Sequence, residues 1–245
     1  MRANEIDTTP YLPFRPSGGA ALRLLCFPHA GGAASVFTRW RGMFGPGIDV
    51  LPVQLPGREG RIRDELPKDM ASLVDELEVH LEDVFDEPFA CYGHSMGALV
   101  AYHLALRLAV RGRPVPRLLM VGACKAPHLG NRLVAAHDAS DAELKQAVLD
   151  LGGLSPLLLD YPDWLSAALG LVRRDLALCA TQRPDGPAPC PVRAFHGADD
   201  PLVSEGDMAA WARYSAPGFA LHRVPGGHFF VHEPALVAQF ASGSL

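Results

Sequence analysis

Cys91-Tyr92-Gly93-His94-Ser95-Met96-Gly97 is the stretch on which the fold turns. It follows the apolar run 88–92 and precedes a long helical pattern that starts at Ala98, so Gly93-x-Ser95-x-Gly97 stands where a strand passes sharply into a helix. Glycines two before and two after the serine relieve crowding in such a turn. The turn exposes the Ser95 hydroxyl and points the Met96 N–H to where a carbonyl oxygen would become negative, with the helix dipole adding partial positive charge. A serine between glycines also occurs, inert, in ordinary turns. The strand before it and the helix after it favour a nucleophile.

Outward from this turn the same alternation repeats. Residues 22–27 form a continuous apolar run, the signature of a strand buried on both faces of a parallel sheet. The spacing predicts a helix near 35–43, a second strand near 49–54, and an amphipathic helix over 70–85 with Asp69 as its N-cap. A helix over 98–110 ends at Gly112 and Pro114, and a buried strand covers 117–124. Later strands are expected at 191–196 and 219–224, with helices near 204–214 and after Pro234. Six strands alternating with helices imply an α/β fold with a mostly parallel, doubly wound sheet.

About 65 residues separate the fourth and fifth strands, far more than one crossover helix needs. Within this insertion, about 125–190, Ser140-Asp141-Ala142-Glu143 has the form of a capping box, and a largely apolar helix is expected over 163–181. Helices this apolar need a partner surface. Ordinary core is one reading; the preferred one is a helical lid insertion covering Ser95 and forming an acyl-sized groove.

The chain has 245 residues and is expected to form a single domain over 1–245, long enough to bury roughly three quarters of its unfolded surface. A net charge of -5 gives no electrostatic case for nucleic acid. The five cysteines are odd in number, lack C-x-x-C spacing and fall in apolar runs, so reduced core thiols are expected. Residues 1–20 look like an irregular lead-in in which Tyr11 and Phe14 tuck onto the surface. They hold no signal-peptide pattern, and no later segment approaches a membrane span, which makes the cytoplasm the simplest compartment. No long exposed apolar heptad calls for an obligate oligomer, so a monomer is expected.

A serine hydroxyl needs an imidazole to take its proton and a carboxylate to orient that imidazole. In open α/β sheets such groups collect beyond the carboxyl ends of the strands. Asp199 and Asp200 follow the 191–196 strand, and His228 follows the last one, giving the chain order Ser, Asp, His found in α/β-hydrolases. Asp200 is taken as the acid, because Asp199 lies nearer the strand end and can cap the turn. His232 is the alternative base. His94 adjoins Ser95 but faces the opposite side of the strand, as a packing residue. His228-x-x-x-His232 has metal-ligand spacing but no glutamate after the first histidine and no evident third ligand, so no metal is expected. The loop Pro28-His29-Ala30-Gly31-Gly32 offers free backbone amides, with the Ala30 N–H as partner to that of Met96 in an oxyanion hole. With neither G-x-G-x-x-G nor a P-loop lysine, no cofactor is expected.

With these pieces placed, the sequence resembles the type II thioesterases, free-standing α/β-hydrolases associated with polyketide synthases and nonribosomal peptide synthetases. The resemblance rests on Cys26-Phe27-Pro28-His29-Ala30-Gly31-Gly32, Gln54-Leu55-Pro56-Gly57-Arg58-Glu59, Gly93-His94-Ser95-Met96-Gly97, Gly197-Ala198-Asp199-Asp200-Pro201 and Gly226-Gly227-His228-Phe229, and spans about 22–240. It implies hydrolysis of acyl thioesters on the phosphopantetheine arm of acyl or peptidyl carrier proteins, with Ser95, Asp200 and His228 as triad and Ala30 and Met96 as oxyanion hole. The insertion matches least well, so acyl preference does not carry over. A small-molecule carboxylesterase of the same fold and a non-catalytic carrier-binding protein are the rival readings. Arg58, Arg61 and Arg63, or Arg173 and Arg174, are candidates for meeting an acidic carrier protein.

Overall fold

The structure, a computed structural model, describes residues 9–154, 156–215 and 218–242. The lead-in residues before Thr9 lie outside the described set.

Six strands form one sheet: β1 (Leu22–Phe27), β2 (Ile48–Pro52), β3 (Phe89–His94), β4 (Leu119–Gly122), β5 (Val192–Gly197) and β6 (Phe219–Val224). Their order is β2-β1-β3-β4-β5-β6 and every pairing is parallel. The unbroken apolar runs explain the central positions. Every residue of β3 and β4 is buried, whereas β6, at the edge, is mostly half-buried. Two strands are shorter than the sequence suggests. β2 stops at Pro52 and β4 covers only four residues, because the flanking residues leave the sheet to build loops.

The helices that follow cover both faces. On one face lie α1 (Met70–His80) and α2 (Met96–Val110), with Leu73, Val74 and Leu77 of α1 meeting Val100 and Leu104 of α2 in the larger core. Asp69 caps α1 by accepting the Ser72 N–H at 2.8 Å. The helix predicted to run to residue 85 ends at His80 and continues as a 3-10 turn over Glu82–Val84. On the opposite face, Phe37 and Trp40 pack with Tyr92 and with Phe240 of α7 (Pro234–Ser242). The helical segment near 35–43 is a 3-10 helix, Ala34–Gly42. Tyr11 lies deeper than a surface tuck: it is fully buried, its hydroxyl donates to Glu76 at 2.6 Å, and the Arg61 guanidinium sits over its ring.

Between β4 and β5 the chain forms α3 (Arg132–Ala135), α4 (Asp141–Asp150) and α5 (Pro162–Ala180). Ser140 and Glu143 close the capping box at α4. Leu144 and Val148 of α4 and Leu169, Val172 and Leu176 of α5 make a core of their own. After β5, α6 (Glu205–Ala209) and a 3-10 turn bring Trp211 into the main core. All five cysteines are buried and free; burial raises each thiol's pKa, with Cys124 and Cys190 pushed up to about 12.

Winding reverses between β1 and β3, which are hydrogen-bonded neighbours although β2 intervenes in sequence. The loops leaving the carboxyl ends of β1 and β3 therefore flank one crevice, where open α/β sheets bind ligands.

Candidate active site

Ser95 sits at the tip of the β3–α2 turn with φ 53 and ψ -115, a conformation that costs a non-glycine residue of order 1–3 kcal/mol. The packing around it explains both glycines. A β-carbon on Gly93 would lie 2.1 Å from the Gly97 carbonyl oxygen, and one on Gly97 would lie 2.1 Å from that of Phe27. The helix start is thus pressed against the neighbouring strand, and the Ser95 N–H is pinned to the Gly122 carbonyl at 2.8 Å. Met96 N–H, the first of α2, precedes the intrahelical hydrogen-bond ladder and lies at the positive end of the helix dipole.

The loop after β6 brings His228 to this serine, with Nε2 at 3.3 Å from Ser95 Oγ. Its Nδ1 lies 2.9 Å from Asp200 Oδ2. Both side chains are nearly sealed, at 2% exposure for His228 and 0% for Asp200. Asp200 Oδ1 accepts the amides of Leu202 at 2.8 Å and Val203 at 3.1 Å, leaving Oδ2 for the imidazole. A carboxylate accepts only, so Nδ1 of His228 carries the proton and Nε2 presents its lone pair to the serine hydroxyl. Asp199 is exposed and its amide bonds the Gly226 carbonyl. His232 is also exposed, in the turn Phe230–His232. Of the named histidines and carboxylates, the structure brings His228 and Asp200 to Ser95.

His94 packs behind the turn, fully buried. Its Nε2 donates to the His228 carbonyl at 2.7 Å, so its Nδ1 must accept the Tyr92 hydroxyl proton at 2.8 Å. Burial holds His94 well below the ordinary histidine range, and the ring is neutral. Through it the backbone at His228 is tied to the core. His29, beside Ala30, is lowered to about 4 by burial, against a hydrogen bond to the Ala30 carbonyl that acts the other way.

A cavity of about 190 Å³ opens at Ser95 and His228, walled on one side by His29, Ala30 and Gly31. The facing wall comes from the segment between β4 and β5: Leu133, Val148, Leu154, Ala168, Leu171 and Val172. Phe229, directly after His228, closes a further side, its ring edge-on to His29 with centroids 4.9 Å apart. The lining beyond the polar end is aliphatic and aromatic, suited to a hydrocarbon chain.

One expectation is corrected here, and one residue that the motifs did not name joins the site. Arg58, expected on the surface as a candidate for meeting a partner, is instead 3% exposed and forms a bidentate pair with the fully buried Asp175 of α5, at 2.8 and 2.7 Å. Its guanidinium makes four hydrogen bonds inside the protein, to the carbonyls of Pro56 and Gly32 and to both oxygens of Asp175, which removes it as a docking residue. Arg61 likewise bonds Asp64, and Arg173 bonds the carbonyls of His137 and Ala139 and pairs with Asp141; Arg63 and Arg174 are exposed. Asp175 left a signal in the sequence. It is a lone carboxylate within the apolar stripe Val172, Leu176 and Cys179, where an unpaired charge would be costly.

Residues 22–242 match the thioesterase domain family. The chain belongs to that family. Gramicidin S biosynthesis protein GrsT of Aneurinibacillus migulanus is 32% identical over 219 residues, covering 89% of this chain and 86% of its own length. Among solved structures, the RedJ thioesterase of the prodiginine pathway in Streptomyces coelicolor is 38% identical, with a TM-score of 0.84 and 91% of each chain covered. The type II thioesterase BorB from the borrelidin biosynthetic cluster is 33% identical with a TM-score of 0.79, covering 93% of this chain and 94% of its own. The chain is accordingly a thioester hydrolase with the α/β-hydrolase fold, similar to type II thioesterases of polyketide and nonribosomal peptide clusters. Among the described residues, no helix is long and apolar enough to cross a membrane.

Proposed function

We propose that this chain removes acyl groups from the phosphopantetheine arm of acyl or peptidyl carrier proteins, through a covalent intermediate on Ser95. The observation that carries the reading is the line Asp200–His228–Ser95, with separations of 2.9 and 3.3 Å, ending at the polar mouth of an apolar chamber. In this mechanism Ser95 Oγ attacks the thioester carbonyl carbon while its proton passes to His228 Nε2. The N–H groups of Ala30 and Met96 hold the oxyanion. The C–S bond breaks, the pantetheine sulfur leaves with the proton from His228, and the acyl group stays on Ser95. Water, deprotonated by His228, then attacks the ester carbonyl; the acid is released and the serine proton restored. Asp200 stabilises the imidazolium formed in each half-reaction.

The 125–190 insertion acts in this reading as a lid whose inner wall receives the acyl chain. Similarity to proteins named for gramicidin S biosynthesis, the prodiginine pathway and the borrelidin cluster favours a substrate from such a synthase; the reading assigns the chain the clearing of stalled or misprimed carrier-bound acyl groups, in the cytoplasm beside that synthase. The test compares kcat/KM for a carrier-bound acyl thioester and for a simple oxygen ester of the same chain. A clear preference for the carrier thioester is expected. Equal or better use of the oxygen ester would instead make the chain a carboxylesterase.

A further inference from the structure

The mouth of the chamber is held by a polar network that the reaction itself does not use. Asp175 Oδ2 accepts the Gly31 N–H at 2.7 Å, and Arg58 Nη1 donates to the Gly32 carbonyl at 2.9 Å as well as to Asp175. Arg58 is fixed in turn: its Nε donates to the Pro56 carbonyl at 3.0 Å, and its own carbonyl accepts Gln54 Nε2 at 3.1 Å. Gln54 Oε1 accepts the Ala34 N–H at 3.2 Å on the far side of the same loop. The segment 29–34 is therefore gripped at Gly31, Gly32 and Ala34 by three side chains from two other parts of the chain. Burying a guanidinium and a carboxylate this completely stabilises little compared with an apolar pair of the same volume. What the ion pair adds is direction, since it aims a hydrogen-bond acceptor at one amide and a donor at the next carbonyl.

We propose that Arg58 and Asp175 are positioning residues for the oxyanion hole. By fixing the Gly31 and Gly32 peptides they hold the preceding Ala30 N–H at the distance the tetrahedral intermediate requires, an inference that rests on the reading of Ala30 as an oxyanion donor. Preorganised donors of this kind lose their effect when the supporting loop is free to turn. Because Asp175 belongs to α5, which also supplies Leu171 and Val172 to the chamber wall, the hole is complete only while that helix is seated over Ser95.

The test uses the full chain with an acyl-pantetheine thioester and two variants. In Arg58→Met/Asp175→Leu the ionic pair becomes an apolar one. It is expected to melt within a few degrees of the wild type, to lose kcat about a hundredfold and to keep KM. The midpoint of the acid limb of kcat/KM against pH, set by the base, stays in place. Asp175→Asn keeps an acceptor for Gly31 but loses one arginine bond, and its kcat is expected to fall about tenfold with the same unmoved midpoint. A folded double variant with wild-type kcat overturns the proposal. Should the double variant not fold, Asp175→Asn decides: wild-type kcat, or a fall accompanied by a displaced acid limb, overturns it. Failure of the wild type itself to hydrolyse the thioester would remove the thioesterase reading and this inference together; wild-type activity with unaffected variants removes this inference alone.

Discussion

At Asp200 the two carboxylate oxygens have separate tasks, one bound by the amides of Leu202 and Val203 and the other by His228. An amide in its place would keep the shape and present a donor where the imidazole needs an acceptor, forcing the wrong tautomer. Asp200→Asn is expected to lower kcat by about 10³–10⁴, and Asp199→Asn, on an exposed side chain, by less than about threefold. Steady-state rates decide, and the reverse ranking would move the acid to Asp199. His29 carries a second residue-level consequence. Its pKa is lowered from 6.5 to about 4 on folding, so between those values the unfolded chain binds the proton and the folded chain does not. The stability this allows is complete above about pH 6.5 and is lost as pH falls toward 4, to at most about 3 kcal/mol. His94, lowered well below its ordinary range, acts in the same direction. Urea midpoints measured from pH 7 to pH 4.5 should fall, and His29→Gln should make that fall shallower; an equal slope would show that His29 titrates normally.

At the scale of elements, α5 joins the chamber wall to the loop after β1, and its small Ala168 leaves room for substrate. Each methylene buried there is worth about 0.8 kcal/mol, roughly fourfold in kcat/KM, until the chamber is full. Ala168→Phe is expected to move the plateau of a chain-length series to shorter acyl groups while leaving acetyl turnover near wild type; an unchanged series would place the acyl chain elsewhere. Much of this level was legible in the sequence. Apolar runs too continuous to alternate located the buried strands, and Asp69 and Ser140 marked helix starts through short-range hydrogen bonds that spacing encodes. Boundaries were less legible. No local pattern marks the change to 3-10 geometry at 34–42 and after His80, where Trp40 and Leu81 are buried in the two cores. The Arg58–Asp175 pair, 117 residues apart, was hidden for the same reason: each residue alone has a plain reading, and only the fold brings them together.

For the whole molecule, the parallel order β2-β1-β3-β4-β5-β6 sets Ser95, Asp200 and His228 beyond the carboxyl ends of β3, β5 and β6, three strands with other elements between them in the chain. The sequence named those residues because a turn of the form Gly-x-Ser-x-Gly has so few backbone solutions, and because strand ends restrict where its partners stand. What fills the chamber was not legible, since one wall is built by residues of the 125–190 insertion whose facing no local pattern gives. The most direct measurement is intact-protein mass spectrometry, with the rate followed in parallel, on the wild type and Ser95→Ala mixed with an acyl-carrier thioester. The wild type is expected to turn over the substrate and to show a transient increase of the acyl mass on the chain. Ser95→Ala should show no adduct and a rate lowered at least about 10³-fold. Hydrolysis by Ser95→Ala within about tenfold of the wild type would contradict a serine nucleophile and the mechanism built on it.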